Sequence, residues 1–197
     1  RAAATWIGSA DHFLVEAVTE GANESALFSV ARDAAGLVCS GASHALGFRS
    51  ANLGSLTLND TPATLLSRDG AHISGVNARI QLGLAAVAVG IGHAAMDAGR
   101  RYAAERKQFG KPIASFQAIQ FKLADMVTEV EAGRLLVWRA ADVPRTPGVV
   151  AMARLYAGEA SLRAANECLQ IHGGYGFTEE FVAERLYRDA QLAKILA

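Results

Sequence analysis

Arg106, Lys107 and Lys111 cluster around Phe109 in the segment RKQFGKP. Cations set about an aromatic ring suit a ligand that is anionic at one end and planar at the other. A guanidinium grips phosphate oxygens through two parallel N–H bonds, and a ring offers its face to another ring. Gln108 lies among these residues, and Phe116, Gln117 and Gln120 follow, adding a second ring and amides that both donate and accept. That set suits a dinucleotide better than a simple anion. The plainer reading is a solvated helix end whose negative pole the cations weakly complement.

A second segment, QIHGGYGF at 170–177, carries Gly173, Gly174 and Gly176 just after Gln170, Ile171 and His172. A glycine pair in this setting can simply stop a helix. It can also let a ligand approach the backbone and take hydrogen bonds from its amides. His172 accordingly has two readings, at the edge of a bound ring system or in a hydrogen bond within the loop. The segment alone is weakly informative; its order and separation from RKQFG and FQAIQF make the combination specific.

Composition narrows the classes. The chain has 197 residues, 51% of them hydrophobic, enough for one full domain and part of another. Nineteen basic residues balance 19 acidic ones, so no global charge argues for nucleic acid or an anionic membrane as partner. The most apolar stretch, LGLAAVAVGIGHAAM, is shorter than a spanning segment and flanked by polar helix, so it reads as a buried helix and not a membrane span. Cys39 and Cys168 form no CxxC or zinc-like pattern, and His12, His44, His72, His93 and His172 lack helical ligand spacing. No metal and no disulfide are expected, and a reducing compartment fits.

The elements that must position these residues follow from periodicity. ATWI, HFLVEAVT, ALFSVAR, LVCSG and SLTLND alternate with period two between turn residues, as antiparallel strands do. From about Ile73 the period becomes helical, placing a domain boundary within 68–75, with a β portion at 1–72 and a four-helix bundle at 73–197. The helices are expected at 76–107, 116–141, 147–172 and 178–196. Ser115 is the expected N-cap of the second, Thr178 with Glu179 and Glu180 behind it favours the start of the fourth, where acidic groups meet the positive end of the helix dipole, and Pro147 suits the first turn of the third. Gly83, Gly90, Gly92 and Gly99 weaken the first helix by about 1 kcal/mol each against alanine, and close packing against another backbone is the expected compensation. The fold class is α+β: an antiparallel β portion followed by a four-helix bundle.

FQAIQFKLADM, QIHGGYGFTEE and the Arg188-Asp189-Ala190 triplet resemble the signatures of the flavin-dependent acyl-CoA dehydrogenases, and the resemblance covers essentially the whole chain. It implies FAD as cofactor, an acyl-CoA thioester as substrate, assembly of homologous subunits into a homo- or hetero-tetramer, and an electron acceptor protein. It also implies a soluble protein of the bacterial cytoplasm or, as the alternative, of the mitochondrial matrix. Arg106, Lys107, Gln108, Phe109, Phe116 and Gln117 would touch the FAD of a neighbouring subunit, as would Gln170, Ile171, His172, Gly173 and Gly174. Trp6 and Ile7 resemble the family's Trp-Ile-Thr strand against the isoalloxazine ring, with Gly8 in place of threonine. The resemblance further implies that an amino-terminal helical domain and the first half of the β domain lie outside this sequence.

The family's catalytic base is where the resemblance fails. The position of the usual glutamate falls on Ala197, and the alternative position on the first helix falls on Ile80. Ala78 and Gln81 replace the acidic residue and arginine that hold the acyl-CoA, and Arg79 lies about 200° around the helix from Gln81. A positioned carboxylate contributes on the order of 10²- to 10⁴-fold to proton abstraction beside a thioester carbonyl, which alanine and isoleucine cannot supply. Glu179, Glu180, Glu184 and Asp189 read as helix-start or surface charges. The chain is therefore expected to be an acyl-CoA dehydrogenase subunit. The alternatives are a non-catalytic partner in a hetero-oligomer, and a related oxidase or monooxygenase that needs no such glutamate.

Overall fold

A computed structural model of the chain describes residues 2–19, 24–41, 45–142 and 147–196. His44 and Ala197 lie outside the described residues. The chain divides into two compact units, Arg1–Asn77 and Ala78–Ala197.

The first unit is antiparallel β. Strands β1 (Ala2–Ala4), β4 (Leu37–Ser40) and β5 (Gly54–Leu58) form one sheet in the order β1-β5-β4. Strands β2 (His12–Val18), β3 (Ser25–Ala31) and β6 (Thr64–Ser67) form a second in the order β2-β3-β6. Ile7, Phe13 and Leu56 make its small core. The strand expected at Trp6-Ile7 is not formed. β1 ends at Ala4, Trp6 takes a left-handed φ of 56°, and the amides of Ser9 and Ala10 both donate to its carbonyl at 2.9 Å. Two amides converging on one carbonyl close a turn, which an extended strand cannot accommodate.

Helix α1 runs Gly70–Glu105. It starts earlier than the apolar period suggests because the Asp69 carboxylate accepts the Ala71 amide at 2.8 Å and caps the new end. It stops short of Lys107 because Lys107 and Gln108 (β7) pair with Lys111 and Pro112 (β8) in a hairpin. Helices α2 (Gln117–Asp142), α3 (Pro147–His172) and α4 (Val182–Ile195) complete the bundle. Pro147 opens α3, where its missing N–H leaves no bond unmade. Ser115 does not cap α2, and Thr178 does not start α4. Ser115 Oγ donates to the Pro112 carbonyl at 2.7 Å, and Thr178 Oγ1 to the Tyr175 carbonyl at 2.9 Å. Each closes the short 3-10 turn before it, so α2 begins after Phe116 and α4 after Phe181, both extended.

Within the second unit the α1 glycines split into two pairs. A Cβ on Gly92 would stand 3.0 Å from Val130 Cγ2 and 3.2 Å from Ser161 Cα, and one on Gly99 would stand 3.3 Å from Ile171 Cδ1. Those two let α1 approach α2 and α3. Gly83 and Gly90 face open space. Nor is α1 buried throughout: Ile80 is 53% exposed and Val87 also lies open, whereas Ala85, Ala88, Ala95 and Ala98 are packed inside. By length and composition this helix could cross a membrane, but one face serves as a bundle wall, which accounts for the apolar residues packed there. Ion pairs tie the other helices: Lys122 with Glu167, Arg163 with Glu129 at 2.8 Å, and Lys194 with Glu159 at 3.1 Å. Among the described residues no group of His, Cys, Asp and Glu could hold a metal ion.

Candidate functional site

The last turn of α1 sets one wall of the site. The Arg106 amide donates to the Tyr102 carbonyl at 2.9 Å, and the Arg106 carbonyl accepts the Ile113 amide at 2.8 Å. Its backbone is thus clamped between helix and hairpin. The hairpin turns through Phe109 and Gly110, with φ of 50° and 81°. Two consecutive left-handed residues define a type I′ connection, for which Asn-Gly is the favoured pair. Phe109 instead holds a bulky ring there, 92% exposed, edge-on to Phe116 at 6.2 Å. Lys111 Nζ lies 4.6 Å from the Phe116 ring centre.

The opposite wall is the end of α3. Gly173 takes a φ of 60°, which turns the helix into the 3-10 segment Gly173–Phe177. Gly176 lies so close to Leu169 that a Cβ would sit 2.8 Å from its carbonyl oxygen. His172 is buried beneath this turn. Its Nδ1 meets the Cys168 carbonyl at 2.8 Å, and because a carbonyl only accepts, that nitrogen carries the proton. The imidazole stacks on Tyr102 at 4.2 Å and meets Phe181 at 5.6 Å. Tyr175 packs on Phe181 at 5.6 Å, and the Arg106 guanidinium carbon lies 5.6 Å from the Tyr175 ring centre.

Between the walls lies a cleft of about 550 Å³ lined by Tyr102, Arg106, Gln108, Ile113, Ile171, His172, Gly173, Gly174, Tyr175 and Thr178. Of the residues singled out from the sequence, the cleft gathers Arg106, Gln108, Ile171, His172, Gly173 and Gly174. Lys107, Phe109, Phe116 and Gln117 sit on the hairpin and the start of α2, outside its lining, and Gln170 is exposed on the last turn of α3. Trp6 and Ile7 belong to the other unit, where Trp6 is 55% exposed and Ile7 is 3% exposed within the β core. Tyr102, Ile113, Tyr175 and Thr178 were not anticipated. Tyr102 precedes Arg106 by one helical turn, and Tyr175 stands inside the glycine frame; those spacings are the signal that could have found them.

Several cations of the bundle are paired: Arg100 and Arg101 beside Asp97 hold its carboxyl below the usual range, first through the hydrogen bond from Arg100, and Arg134 does the same to Glu131. Among the described residues Arg106, Lys107 and Lys111 have no carboxylate partner. An anion brought here meets uncompensated positive charge, with glycine backbone across the cleft. Cys168, against His172, is no nucleophile, since burial pushes its thiol up to about 11. On α1, Ala78, Ile80 and Gln81 supply no acid. Glu184 is held by Arg188 through bonds of 2.6 and 3.0 Å, which leaves it a structural role.

The sequence profile of the family described as "Acyl-CoA dehydrogenase, C-terminal domain" matches residues 77–197. The chain is 39% identical over 208 residues to a probable acyl-CoA dehydrogenase of Bacillus subtilis, covering 96% of this chain and 54% of that protein. It is 44% identical over 119 residues to the caffeyl-CoA reductase–Etf complex subunit CarC of Acetobacterium woodii, covering 58% of this chain and 31% of that one. The solved structure of butyryl-CoA dehydrogenase from Megasphaera elsdenii superposes with a TM-score of 0.88 at 32% identity, over 97% of this chain and 53% of that chain. The chain thus spans about half the length of the first of these relatives and of that structure.

Proposed function

The chain belongs to the acyl-CoA dehydrogenase family, and on that premise we propose that it is part of an FAD-dependent enzyme that desaturates a coenzyme A thioester between Cα and Cβ. The family is one of FAD flavoproteins, and the flavin supplies an acceptor for the hydride leaving Cβ. The observation that carries the reading is the cleft in which Arg106, without a carboxylate partner among the described residues, stands with the backbone of Gly173 and Gly174. The residues suit the group. A guanidinium grips a diphosphate through two N–H bonds, and glycines without side chains admit it to the backbone amides. Phe109 and Phe116 offer rings to a planar heterocycle. These contacts serve the flavin of a neighbouring subunit, so homologous subunits are the proposed assembly. An electron acceptor protein is the proposed redox partner, supported by the Etf complex to which the Acetobacterium relative belongs. The cytoplasm is the proposed compartment.

One observation favours a second reading, a non-catalytic partner subunit. Ala78, Ile80 and Gln81 bring no carboxylate to the first turns of α1 within the second unit, and Ile80, at the position the resemblance gives to the alternative base, is an exposed apolar side chain. Anaerobic titration with a panel of acyl-CoA thioesters, on the protein alone and with any homologue that co-purifies, tests both. Bleaching of the flavin absorbance by the protein alone supports the enzyme; bleaching only with the homologue supports the partner; bleaching in neither overturns thioester desaturation. For the cleft itself, Arg106→Ala is expected to lower bound flavin per subunit after gel filtration, and unchanged occupancy overturns the phosphate contact.

A further inference from the structure

We infer that Tyr175 is a positioning residue for Arg106, its ring face holding the guanidinium so that the in-plane N–H groups remain free for a diphosphate. The inference rests on the proposed reading of the cleft as a nucleotide-cofactor site. Arg106 is exposed, and although its backbone is bonded at both N and O, its long side chain has no carboxylate to hold it among the described residues. What it does meet is the Tyr175 ring, with its guanidinium carbon 5.6 Å from the centre. That distance lies within cation–π range. The two ways of orienting an arginine differ in what they leave over. A carboxylate would occupy the same N–H fork that a phosphate needs. A ring face engages the flat side of the guanidinium and leaves its edge available.

The platform is itself fixed. The Tyr175 carbonyl accepts both the amide and the hydroxyl of Thr178, at 3.2 and 2.9 Å. The Tyr175 ring packs on Phe181 at 5.6 Å, and Phe181 in turn meets Tyr102 and His172. Gly176 seats the turn against the Leu169 carbonyl, where a Cβ would come within 2.8 Å. The ring that holds Arg106 is thus carried by the end of α3, whereas Arg106 is carried by the end of α1. The pair spans the two walls of the cleft. Among the described residues no hydrogen bond of the Tyr175 hydroxyl enters this arrangement, so the aromatic face is the functional part.

The test uses the full chain in its purified assembly, deflavinated and titrated with FAD by quenching of flavin fluorescence. Tyr175→Phe and Tyr175→Trp, which keep a ring face, are expected to bind FAD within about twofold of the parent. Tyr175→Leu is expected to bind about two- to fivefold more weakly, the scale of an exposed cation–π contact. In the Arg106→Ala background Tyr175→Leu should change nothing further, because a residue that acts through Arg106 has nothing left to position. Parent-like binding by Tyr175→Leu, a defect in Tyr175→Phe as large as in Tyr175→Leu, or a full additional loss in the double variant would overturn the inference while leaving the cleft reading intact. Arg106→Ala binding FAD like the parent would remove the cleft reading, and the inference with it.

Discussion

The imidazole of His172 lies flat against the phenol ring of Tyr102, with centroids 4.2 Å apart and 25° between planes. Tyr102 also gives its carbonyl to the Arg106 amide, and His172 gives its Nδ1 proton to the Cys168 carbonyl. One stacked pair therefore ties the end of α1 to the end of α3 and fixes the distance between the cation and the glycine turn. His172→Ala is expected to destabilise the fold by about 2–4 kcal/mol, from the lost ring and the space left behind. His172→Phe keeps the stack and removes only the side-chain donor to the Cys168 carbonyl, which still accepts the His172 amide within α3, a loss of about 1 kcal/mol. Urea unfolding should rank the parent above Phe and Phe above Ala; equal midpoints for the two variants would show that the stack contributes nothing.

The α1 glycines divide by what surrounds them. Gly92→Ala pushes a methyl into the Ser161 backbone at 3.2 Å, and α1 must move away from α3, with an expected loss of about 1–3 kcal/mol. Gly83→Ala and Gly90→Ala enter open space and should each stabilise the helix by up to about 1 kcal/mol. Thermal unfolding of the three variants reads the opposite signs directly.

This division could not be read from the sequence, where the four glycines look alike. Their heptad spacing exposes the faces of a helix but not which face meets a neighbour. The change of period near Ile73 and the proline at 147 were informative because periodicity and a fixed φ are local properties. The failures have one cause. Ser115 reads as an N-cap and Thr178 as a helix start, yet their hydroxyls bond backward to Pro112 and Tyr175; a hydroxyl serves a turn or a helix end with equal ease. Trp6 looks like a strand residue by type, but the carbonyl that gathers two amides makes it a turn. At the site, the residue types of RKQFG and QIHGG suggest the phosphate contact proposed above. The rings between them, Tyr102, Tyr175 and Phe181, were not legible, because ring packing joins residues far apart in the chain.

Thiol chemistry should separate the two cysteines. Cys39 is half-exposed and Cys168 is buried, with its thiol pushed from 9.0 up to about 11 by burial. Under native conditions a thiol-exchange reagent should modify Cys39 and spare Cys168. The shift also sets a pH window. Between about 9 and about 11 the folded chain keeps a proton that the unfolded chain has released, so stability falls as pH rises through that interval. This one group accounts for at most about 3 kcal/mol of the fall. Cys168→Ala should flatten that part of the stability–pH curve; an unchanged slope would show that the thiol is not its source.

Phe109 sets local stability against binding. Its φ of 50° is a conformation that bulky residues avoid, and it stands at the first central position of a two-residue hairpin where asparagine is favoured. Nothing in the hairpin repays this, since the ring is 92% exposed and meets Phe116 only edge-on. A strained, solvent-facing aromatic between Lys107 and Lys111 is understandable if the ring's partner is a ligand. Phe109→Asn should accordingly strengthen the hairpin by about 1 kcal/mol, seen as slower amide exchange at Ile113, whose N–H closes the hairpin on the Arg106 carbonyl. The same change should lower flavin retention. Slower exchange with retention unchanged would leave the strain without a ligand to explain it, whereas opposite movement of the two readouts ties the strained ring to the cofactor.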